Sequence, residues 1–389
     1  MFRPQIQKTR ILSIMAIISI CLVILVAKSS TFNEFENVNS RYEAVDLMSN
    51  CINSIKTINN LDIHSQDYYK TGLIGLKKTK ITTVLDNENL DNILNAKIIT
   101  THPNFAAFVV LLFEELGLEY GDSIAVSMPG SFPGANIAIL SACKTLEVTP
   151  VIISSLGSSS WGANKESLTW IDIEDHLYSK GLIDFRSIAV SIGGKNDLGE
   201  NISDEGIEIL EEIIQRSDVL LINELNLNKS IKKKINLFGN MNDYDAFINI
   251  GGGASSLGKG LGKMYLKGGI ISPLSKDDIQ EIYYDSDNGD KYHEDFKESI
   301  AYKFLNDDIS VINIKNINSL ISEYGMSYLS DRKLNKLKQG SLFYEVEKFN
   351  IKTIWFALII TVFISLVVGL YSHIQIKERM KEDEIDSIL

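Results

Sequence analysis

The apolar residues of this chain follow two different patterns. Over residues 101–330, short apolar runs alternate with stretches in which apolar positions recur every three or four residues, the spacings of buried strands and amphipathic helices. The predicted strands are 123–127, 150–154, 187–192, 219–222, 246–250 and 309–314. The predicted helices between and after them are 135–146, 173–180, 204–216, 228–240 and 317–324. This alternation predicts βαβ crossovers, and therefore an α/β fold with a mostly parallel, doubly wound sheet.

The residues before this alternation are predicted to form two helices and an extended segment. Apolar residues at helical spacing predict a juxtamembrane helix within residues 40–60. Residues 71–87 are predicted to form short strands or an extended hairpin. A further helix is predicted to begin near Pro103 and to end at Leu116, where Gly117 stops it.

The second pattern consists of two long apolar stretches, Ile11–Ala27 and Ile354–Tyr371, each close to the length that crosses a bilayer. Basic residues flank them at Arg3, Lys8 and Arg10 and at Lys377, Arg379 and Lys381. These flanks predict that both termini are cytoplasmic and that the residues between the spans lie outside the cytoplasm. The first stretch is interpreted as an uncleaved anchor rather than a signal peptide, because it is long and only a weak cleavage sequence follows it.

These patterns divide the chain into seven predicted segments. They are a cytoplasmic N-terminus (1–10), a transmembrane helix (11–28), a juxtamembrane helix and extended region (29–100), an extracytoplasmic α/β domain (101–330), a tether (331–352), a second transmembrane helix (353–372) and a cytoplasmic tail (373–389).

The net charge limits the classes of binding partner, and the cysteine count limits disulfide bonding. The net charge is −12 and the chain has no basic stripe that would neutralise phosphates, so we expect no nucleic-acid partner. The one dense basic patch, Lys232–Lys234, is interpreted as a solvated helix end. Outside the first span the cysteines are Cys51 and Cys143, too few for a disulfide framework, and the sequence leaves open whether they pair.

Four of the predicted strands run into glycine- and serine-rich loops, within residues 124–134, 151–162, 188–199 and 246–262. The carboxyl ends of parallel strands share one edge of a sheet, so we expect these loops to line one crevice. Glycines allow close approach, and free N–H and hydroxyl groups favour an anion. The predicted ligand-binding residues are Gly130, Ser131, Asn136, Ser155, Ser158, Ser159, Trp161, Gly193, Gly194, Lys195, Asp197, Gly251, Gly252, Gly253, Ser255 and Ser256.

Several of these residues have more than one interpretation. Ser131, near the start of a helix, is a candidate nucleophile, an anion seat or part of a plain turn. Lys195 is interpreted as a point charge that holds a carboxylate or phosphate, and Asp197 as a residue that orients Lys195 or binds a metal. The alternative is that both are solvated turn residues. Trp161 is either a stacking platform or a loop lid packed on the core.

No cofactor or metal is predicted. The glycine-rich loop after residue 250 fits neither a P-loop nor a dinucleotide-binding fingerprint. The histidines His64, His102 and His176 are not at metal-ligand spacing, and His102 is interpreted as a capping or polar-contact residue.

Five sequence blocks carry a resemblance to a known family: THPNFAAFVV (101–110), GDSIAVSMPGSFPGANIAILSACKTL (121–146), PVIISSLGSSSWGAN (150–164), SIGGKNDLG (191–199) and NIGGGASSLG (249–258). They resemble the poly-gamma-glutamate system protein family, with further likeness at 81–87 and 311–326. The resemblance implies a membrane-anchored partner of the machinery that makes and exports poly-γ-glutamate, which includes a cytoplasmic ATP-dependent amide ligase and a small membrane subunit. It implies no catalytic residues. His102 stands where this family pattern has asparagine.

Three functions are compatible with these observations, and we rank them in this order. The chain is a binding or export subunit for poly-γ-glutamate or its glutamyl units, a γ-glutamyl amide hydrolase or transferase that uses Ser131 or one of Ser158–Ser160, or an assembly scaffold. The expected partners are the polymer or a glutamyl substrate, the membrane and other synthase subunits. The expected location is a bacterial cell membrane. Because a net charge of −12 repels a polyanion at long range, binding must be local to the crevice.

Overall fold

A computed structural model of the chain describes residues 9–29, 35, 38–58, 71–83, 90–260, 266–273, 295–326, 329, 337–344 and 349–386. The chain divides into two compact units, one made of Met1–Phe35 with Tyr344–Leu389 and the other of Glu36–Phe343. Predictions for residues 1–8, His64, residues 84–87, parts of the tether (331–336 and 345–348) and residues 387–389 lie outside the described residues.

The first unit contains the two apolar helices, α1 (Thr9–Lys28) and α12 (Ile351–Asp386). Within them, Arg10–Lys28 and Ile351–Glu378 are long and apolar enough to cross a membrane. Both predicted spans are therefore confirmed by length and composition, which indicates membrane association. Helix α12 is longer than predicted because it continues through the charged residues that follow the apolar stretch.

The second unit is an α/β structure. Its strands are β1 (Ser123–Pro129), β2 (Thr149–Gly157), β3 (Asn164–Lys165), β4 (Leu168–Thr169), β5 (Ser187–Gly193), β6 (Leu220–Ile222), β7 (Ala246–Ile250), β8 (Gly269–Ile271) and β9 (Ser310–Ile314). Its helices are α2 (Val38–Ile58), α3 (Leu90–Thr100), α4 (Asn104–Leu116), α5 (Pro133–Leu146), α6 (Trp170–Ser179), α7 (Asp204–Arg216), α8 (Leu227–Phe238), α9 (Ala254–Leu257), α10 (Ile300–Asn306) and α11 (Ile317–Glu323), with 3₁₀ turns at Lys195–Asp197 and Met241–Asp243.

Seven strands form one sheet in the order β6-β5-β2-β1-β7-β9-β8. Every neighbouring pair is parallel except β8 and β9. From β1 the chain adds β2, β5 and β6 on one side and then returns to add β7 and β9 on the other. The helices cover both faces, so the predicted doubly wound α/β fold is confirmed. The direction of winding reverses between β1 and β7, where open α/β sheets usually bind ligands.

The core explains why these segments form regular structure. All five residues of β7 are buried, as expected for a central strand of a parallel sheet. On one face, Phe247 stacks on Phe304 with ring centroids 4.7 Å apart, and Phe238 meets both rings edge-on. On the other face, α2 packs against α4 and α5, so α2 belongs to the same compact unit as the strands.

Helix α4 follows its prediction closely, beginning after Pro103 and ending at Gly117, whose φ of 80° is the left-handed conformation that glycine adopts readily. Helices α3 and α4 are together apolar enough to resemble a broken membrane span, but they meet at 80°. Because nearly all of α4 is buried in the α/β unit, this apolarity reflects core packing.

Some elements differ from the predictions. Residues 71–83 contain no strand; the regular pairing described there is a single bridge between Thr82 and Ser158. Helices α3 and α10 and the antiparallel strand β8 were not predicted. The second half of α3, Ala96–Thr100, is buried on every side and thus lacks the polar face that marks a helix in a sequence. Helix α10 and β8 are too short to produce a periodic pattern.

The cysteines Cys51 and Cys143 are both buried free thiols. Burial raises the pKa of Cys51 to about 12, with Lys144 nearby opposing this shift. Burial also raises the pKa of Cys143, so neither thiol is poised for reaction.

Candidate functional site

The four glycine- and serine-rich loops emerge from one edge of the sheet. Strands β5, β2, β1 and β7 are consecutive neighbours, and all run parallel. Pro129 pairs with Ser155, and Gly157 pairs with Gly193, so the strands end at similar heights. The loops that follow them are therefore brought together at the carboxyl edge, on both sides of the point where the winding reverses.

The loop after β1 lies against the end of β2. The backbone N–H of Gly130 donates to the Ser155 carbonyl at 2.6 Å. A Cβ atom on Gly130 would lie 2.5 Å from the Leu156 carbonyl oxygen, so a side chain at this position would clash with the backbone. Glycine therefore allows the loops after β1 and β2 to approach closely.

Three serines join these two loops through hydrogen bonds. The Ser158 hydroxyl donates to the carbonyls of Gly130 and Ser159, both at 3.1 Å. The backbone N–H of Ser159 donates to the Ser131 Oγ at 3.0 Å. Ser131 is half-buried, while Ser158 and Ser159 are buried. The Ser131 hydroxyl oxygen, one candidate nucleophile, is consequently bonded to the backbone of Ser159.

A buried lysine that the sequence analysis missed lies beneath these serines. Lys97 of α3 is 2% exposed, and its ammonium group donates to the Ser131 carbonyl and, at 2.9 Å, to the Ser159 hydroxyl. Its Nζ also lies 3.8 Å from the centroid of the Phe132 ring, a cation–π contact. The sequence gives one indication that Lys97 is buried, because it is a single charged residue between the apolar residues Ala96 and Ile98.

The first turn of α5 is packed against the α3–α4 turn. Gly134 is buried, and a Cβ atom there would lie 2.5 Å from the Thr100 carbonyl oxygen. Asn136 is fully buried, and its side-chain N–H donates to the Pro129 carbonyl at 3.0 Å. These contacts fix the start of α5 relative to the end of β1.

The loop after β5 turns back toward α8 and carries a buried carboxylate. Asp197 accepts from the Ser191 hydroxyl at 2.8 Å and from the Ser230 hydroxyl at 2.5 Å. Its Oδ2 also lies 2.7 Å from the Nζ of Lys234, and both side chains are 5% exposed. The carboxylate of Asp197 is therefore bonded to Lys234 and two serines rather than to Lys195, and it is not a solvated turn residue; metal binding by Asp197 stays a prediction. Lys195 is exposed.

Lys234 corrects a second prediction. Residues Lys232–Lys234 lie in the middle of α8 rather than at a solvated helix end. Lys232 is exposed, but Lys234 is buried, bonded to Asp197 and, at 3.1 Å, to the Ser255 hydroxyl. Local charge density could not reveal this burial, because both partners are distant in sequence.

The glycine-rich loop after β7 begins against Phe132 and then opens to solvent. Gly251 has a φ of 76°, and a Cβ atom there would lie 3.4 Å from the Phe132 ring. Gly252 and Gly253 are exposed, and a Cβ atom on Gly252 would meet nothing within 4 Å. Ser255 and Ser256, in the short helix α9, are buried.

Trp161 is held in a left-handed conformation by the segment 71–83. Its φ is 61°, which is uncommon for a bulky residue. Its backbone N–H donates to the Leu76 carbonyl at 2.8 Å, and its carbonyl accepts from Gly75 at 3.0 Å. The side chain of Asn164 braces the same segment through both backbone groups of Leu76. Trp161 is half-buried, at the rim of the serine-rich loop.

The predicted site residues thus fall into a buried set and an accessible set. The buried residues are Gly130, Asn136, Ser158, Ser159, Gly193, Asp197, Gly251, Ser255 and Ser256. The exposed or half-buried residues are Ser131, Ser155, Trp161, Gly194, Lys195, Gly252 and Gly253. The accessible set offers hydroxyls, backbone groups and one ammonium group, the chemistry that suits a carboxylate.

Two histidines have hydrogen-bond contacts with other helices or with the backbone beside them. The Nδ1 of His102 accepts from the backbone N–H of Asn104 at 3.0 Å, which confirms the predicted polar contact. Burial lowers the pKa of His102 to about 4, so the ring is neutral near pH 7. His176 lies 2.8 Å from the Ser54 hydroxyl through its Nε2 and joins α6 to α2. Within the described residues, no cluster of three His, Cys, Asp or Glu side chains is suitable for a metal ion.

No protein-family model matches the chain, and no curated protein or solved structure matches it significantly. The likeness to the poly-gamma-glutamate system protein family therefore stays a prediction from the sequence blocks.

Proposed function

We propose that this protein is a membrane-anchored accessory subunit of poly-γ-glutamate synthesis or export. In this proposal the crevice at the carboxyl edge of the sheet binds the polymer or its glutamyl units. The observation that carries the proposal is the convergence of four loops from neighbouring parallel strands, with Lys195, Ser131 and Gly252 accessible among them. The resemblance of the same loops to the poly-gamma-glutamate family supplies the substrate class.

The chemistry of the accessible groups supports an anionic ligand. Lys195 offers an ammonium group, Ser131 a hydroxyl, and Gly252 and Gly253 a stretch of backbone that no side chain covers. A polymer with one carboxylate per unit can engage several such groups at once, and linked weak contacts raise the overall affinity. Since the whole chain carries a charge of −12, this attraction has to be short-range.

The two apolar helices support a membrane location. Basic residues beside both helices favour cytoplasmic termini, which would put the α/β unit outside the cytoplasm of a bacterial cell. In that position the crevice would meet the emerging polymer, and α1 and α12 would be available to the membrane subunit of the synthase. A reporter fused to the C-terminus tests this orientation, because activity of an outside-only reporter would overturn it.

Binding is tested with the full chain in detergent micelles, titrated with poly-γ-glutamate in a calorimeter. We expect saturable binding that weakens with salt. Replacing Lys195 with glutamate should weaken it about tenfold, the effect of roughly 1.4 kcal/mol. The matched control is Lys180→Glu, an exposed lysine at the end of α6, on the opposite edge of the sheet. Equal loss in both variants, or no binding by the wild type, would contradict the proposal.

A second function, hydrolysis or transfer of γ-glutamyl amides, is favoured by one contact. The Lys97 ammonium group lies 2.9 Å from the Ser159 hydroxyl, so a serine nucleophile has a proton-carrying neighbour. In that reaction Lys97 in its neutral form takes the Ser159 proton as Oγ bonds to the amide carbonyl carbon, and the resulting ammonium group gives this proton to the amide nitrogen as the carbon–nitrogen bond breaks. Water or an amine then releases the acyl group. This contact favours Ser159 over Ser131 as the nucleophile.

The two functions are separated by following polymer length during incubation with the full chain, using size-exclusion chromatography. A hydrolase shortens the polymer, and Ser159→Ala abolishes the shortening, while Ser160→Ala in the same loop leaves it intact. A binding subunit leaves polymer length unchanged in all three proteins.

A further inference from the structure

We propose that Asp197 and Lys234 are positioning residues that join the loop after β5 to the glycine-rich loop after β7 as one ligand-binding unit. Neither side chain is accessible, because both are 5% exposed, so neither touches a ligand directly. Instead they fix the positions of the loops that carry the accessible residues Lys195 and Gly252.

The two loops do not belong to neighbouring strands. Strands β2 and β1 lie between β5 and β7, which separates β5 from β7 by about 14 Å at the usual strand spacing. Nevertheless Asp197, after β5, and Ser255, after β7, both bond to the Nζ of Lys234, at 2.7 and 3.1 Å. Lys234 therefore bridges two loops that the sheet alone keeps apart.

The loop after β5 is shaped to reach this bridge. Gly193 and Gly194 have φ values of 79° and 70°, and Asn196 and Asp197 are also left-handed at 54° and 63°. The backbone N–H of Gly199 closes the turn on the Gly193 carbonyl at 2.7 Å. This run of left-handed residues turns the chain back so that Asp197 faces α8, while Lys195, two residues before it, stays exposed.

Helix α8 presents a matched pair to the carboxylate. Ser230 and Lys234 are one helical turn apart on the same face, and both bond to the same oxygen of Asp197. The other oxygen accepts from Ser191 of β5. Contacts from β5 and from α8 therefore fix the carboxylate of Asp197 in one position. Because Lys234 bonds to both Asp197 and Ser255, it fixes Ser255 relative to Asp197.

The direct test measures the distance between the two accessible neighbours. Spin labels are attached to cysteines replacing Lys195 and Gly252 in the full chain, with exposed Cys21 changed to serine and the buried Cys51 and Cys143 retained. A control pair replaces Tyr120 and Lys180, both exposed at the opposite edge of the sheet. We expect Lys234→Met to at least double the width of the first distance distribution and to leave the control pair unchanged.

Two further variants keep this test decisive. Lys234→Met leaves the buried carboxylate of Asp197 without its charged partner, which is destabilising. The double variant Asp197→Asn with Lys234→Met removes both charges and is used if the single variant does not fold. Lys232→Met, on the exposed side of α8, is the matched control and should change nothing. Unchanged widths in the Lys234 variants would overturn the proposal.

The consequence for binding rests on the proposed function. In folded protein, Lys234→Met or the double variant should weaken poly-γ-glutamate binding at least tenfold, and Lys234→Arg should restore part of the affinity. Full affinity in a folded variant would overturn the positioning role. If the wild type binds no polymer, the proposed function fails, while the distance measurement still decides whether the two loops are joined.

Discussion

The carboxylate of Glu174 accepts two hydrogen bonds from Ser187, one from the backbone N–H at 2.9 Å and one from the hydroxyl at 2.8 Å. Glu174 is fully buried on α6, and Ser187 begins β5. Burial raises the pKa of Glu174 from 4.5 to about 7, although the hydrogen bonds from Ser187 oppose the shift. A carboxyl group in the core is therefore close to half-protonated at neutral pH.

This shift makes stability depend on pH through Glu174. Between pH 4.5 and 7 the folded chain holds a proton that the unfolded chain has lost, so the free energy of unfolding falls as pH rises, by about 3 kcal/mol in total. Glu174→Gln should remove this loss and make the protein more stable than the wild type at pH 8, but not at pH 4.5. Chemical unfolding of the full chain in micelles, followed by near-UV circular dichroism, measures it.

The control for this prediction is Glu211→Gln, which changes an exposed glutamate on α7. It should follow the wild type at every pH. A Glu174→Gln variant less stable than the wild type at pH 8 would show that the carboxylate, rather than the neutral acid, is the favoured form.

His102 should produce the opposite dependence. Its Nδ1 has to be unprotonated to accept from Asn104, and burial lowers its pKa from 6.5 to about 4. Between pH 6.5 and 4, His102 is therefore protonated in the unfolded chain and neutral in the folded chain. As a result, the His102 contribution lowers the free energy of unfolding as the pH drops toward 4, by about 3 kcal/mol. His102→Asn keeps an acceptor oxygen without a titrating ring. In the same unfolding experiment it should gain stability as the pH falls from 6.5 to 4.5, because only the Glu174 contribution is then left.

The two residues act in opposite directions over the range they share, pH 4.5 to 6.5, so the wild type should change little there. In His102→Asn the free energy of unfolding should then vary with pH as Glu174 alone dictates, and in Glu174→Gln as His102 alone dictates. If the stability of His102→Asn and that of the wild type change equally between pH 6.5 and 4.5, the expectation for His102 is wrong.

Gly134 should not tolerate a side chain. A Cβ atom there would lie 2.5 Å from the Thr100 carbonyl oxygen and 2.9 Å from the Thr101 nitrogen, both backbone atoms that cannot rotate away. We expect Gly134→Ala to lower the free energy of unfolding by about 1–3 kcal/mol through overpacking. Gly252→Ala, at a position with open space, should change it by less than about 0.5 kcal/mol. Equal effects in denaturant unfolding would contradict the close packing of α5 on the α3–α4 turn.

The sequence was sufficient for the six parallel strands of the sheet because each carries its own local pattern, whereas the antiparallel strand β8 is too short to carry one. Strand β7 and helix α7 have the predicted bounds, and Gly117 ends α4 as expected. The edge on which the four loops emerge followed from parallel strand direction. These features depend on residues that are neighbours in the chain, where periodicity and turn chemistry act directly.

The buried lysines could not be predicted in the same way. Lys97 and Lys234 are buried because Ser131, Ser159 and Asp197 come to them from distant segments, and a local pattern treats a lysine as solvated. Residues 71–87 were predicted to form short strands or an extended hairpin, yet in the described part, 71–83, backbone hydrogen bonds go to the loop that contains Trp161. In each case the tertiary partner decides the structure.

Hydrogen exchange with and without poly-γ-glutamate tests most directly where the ligand binds. The full chain in micelles is exposed to deuterated buffer, and amide exchange is compared peptide by peptide. We expect slower exchange in the four loops of the carboxyl edge, at 130–134, 155–162, 193–199 and 251–258, with no change at the opposite edge, at 117–122 and 180–186. Protection confined to the opposite edge, or no protection by the polymer anywhere, would contradict it.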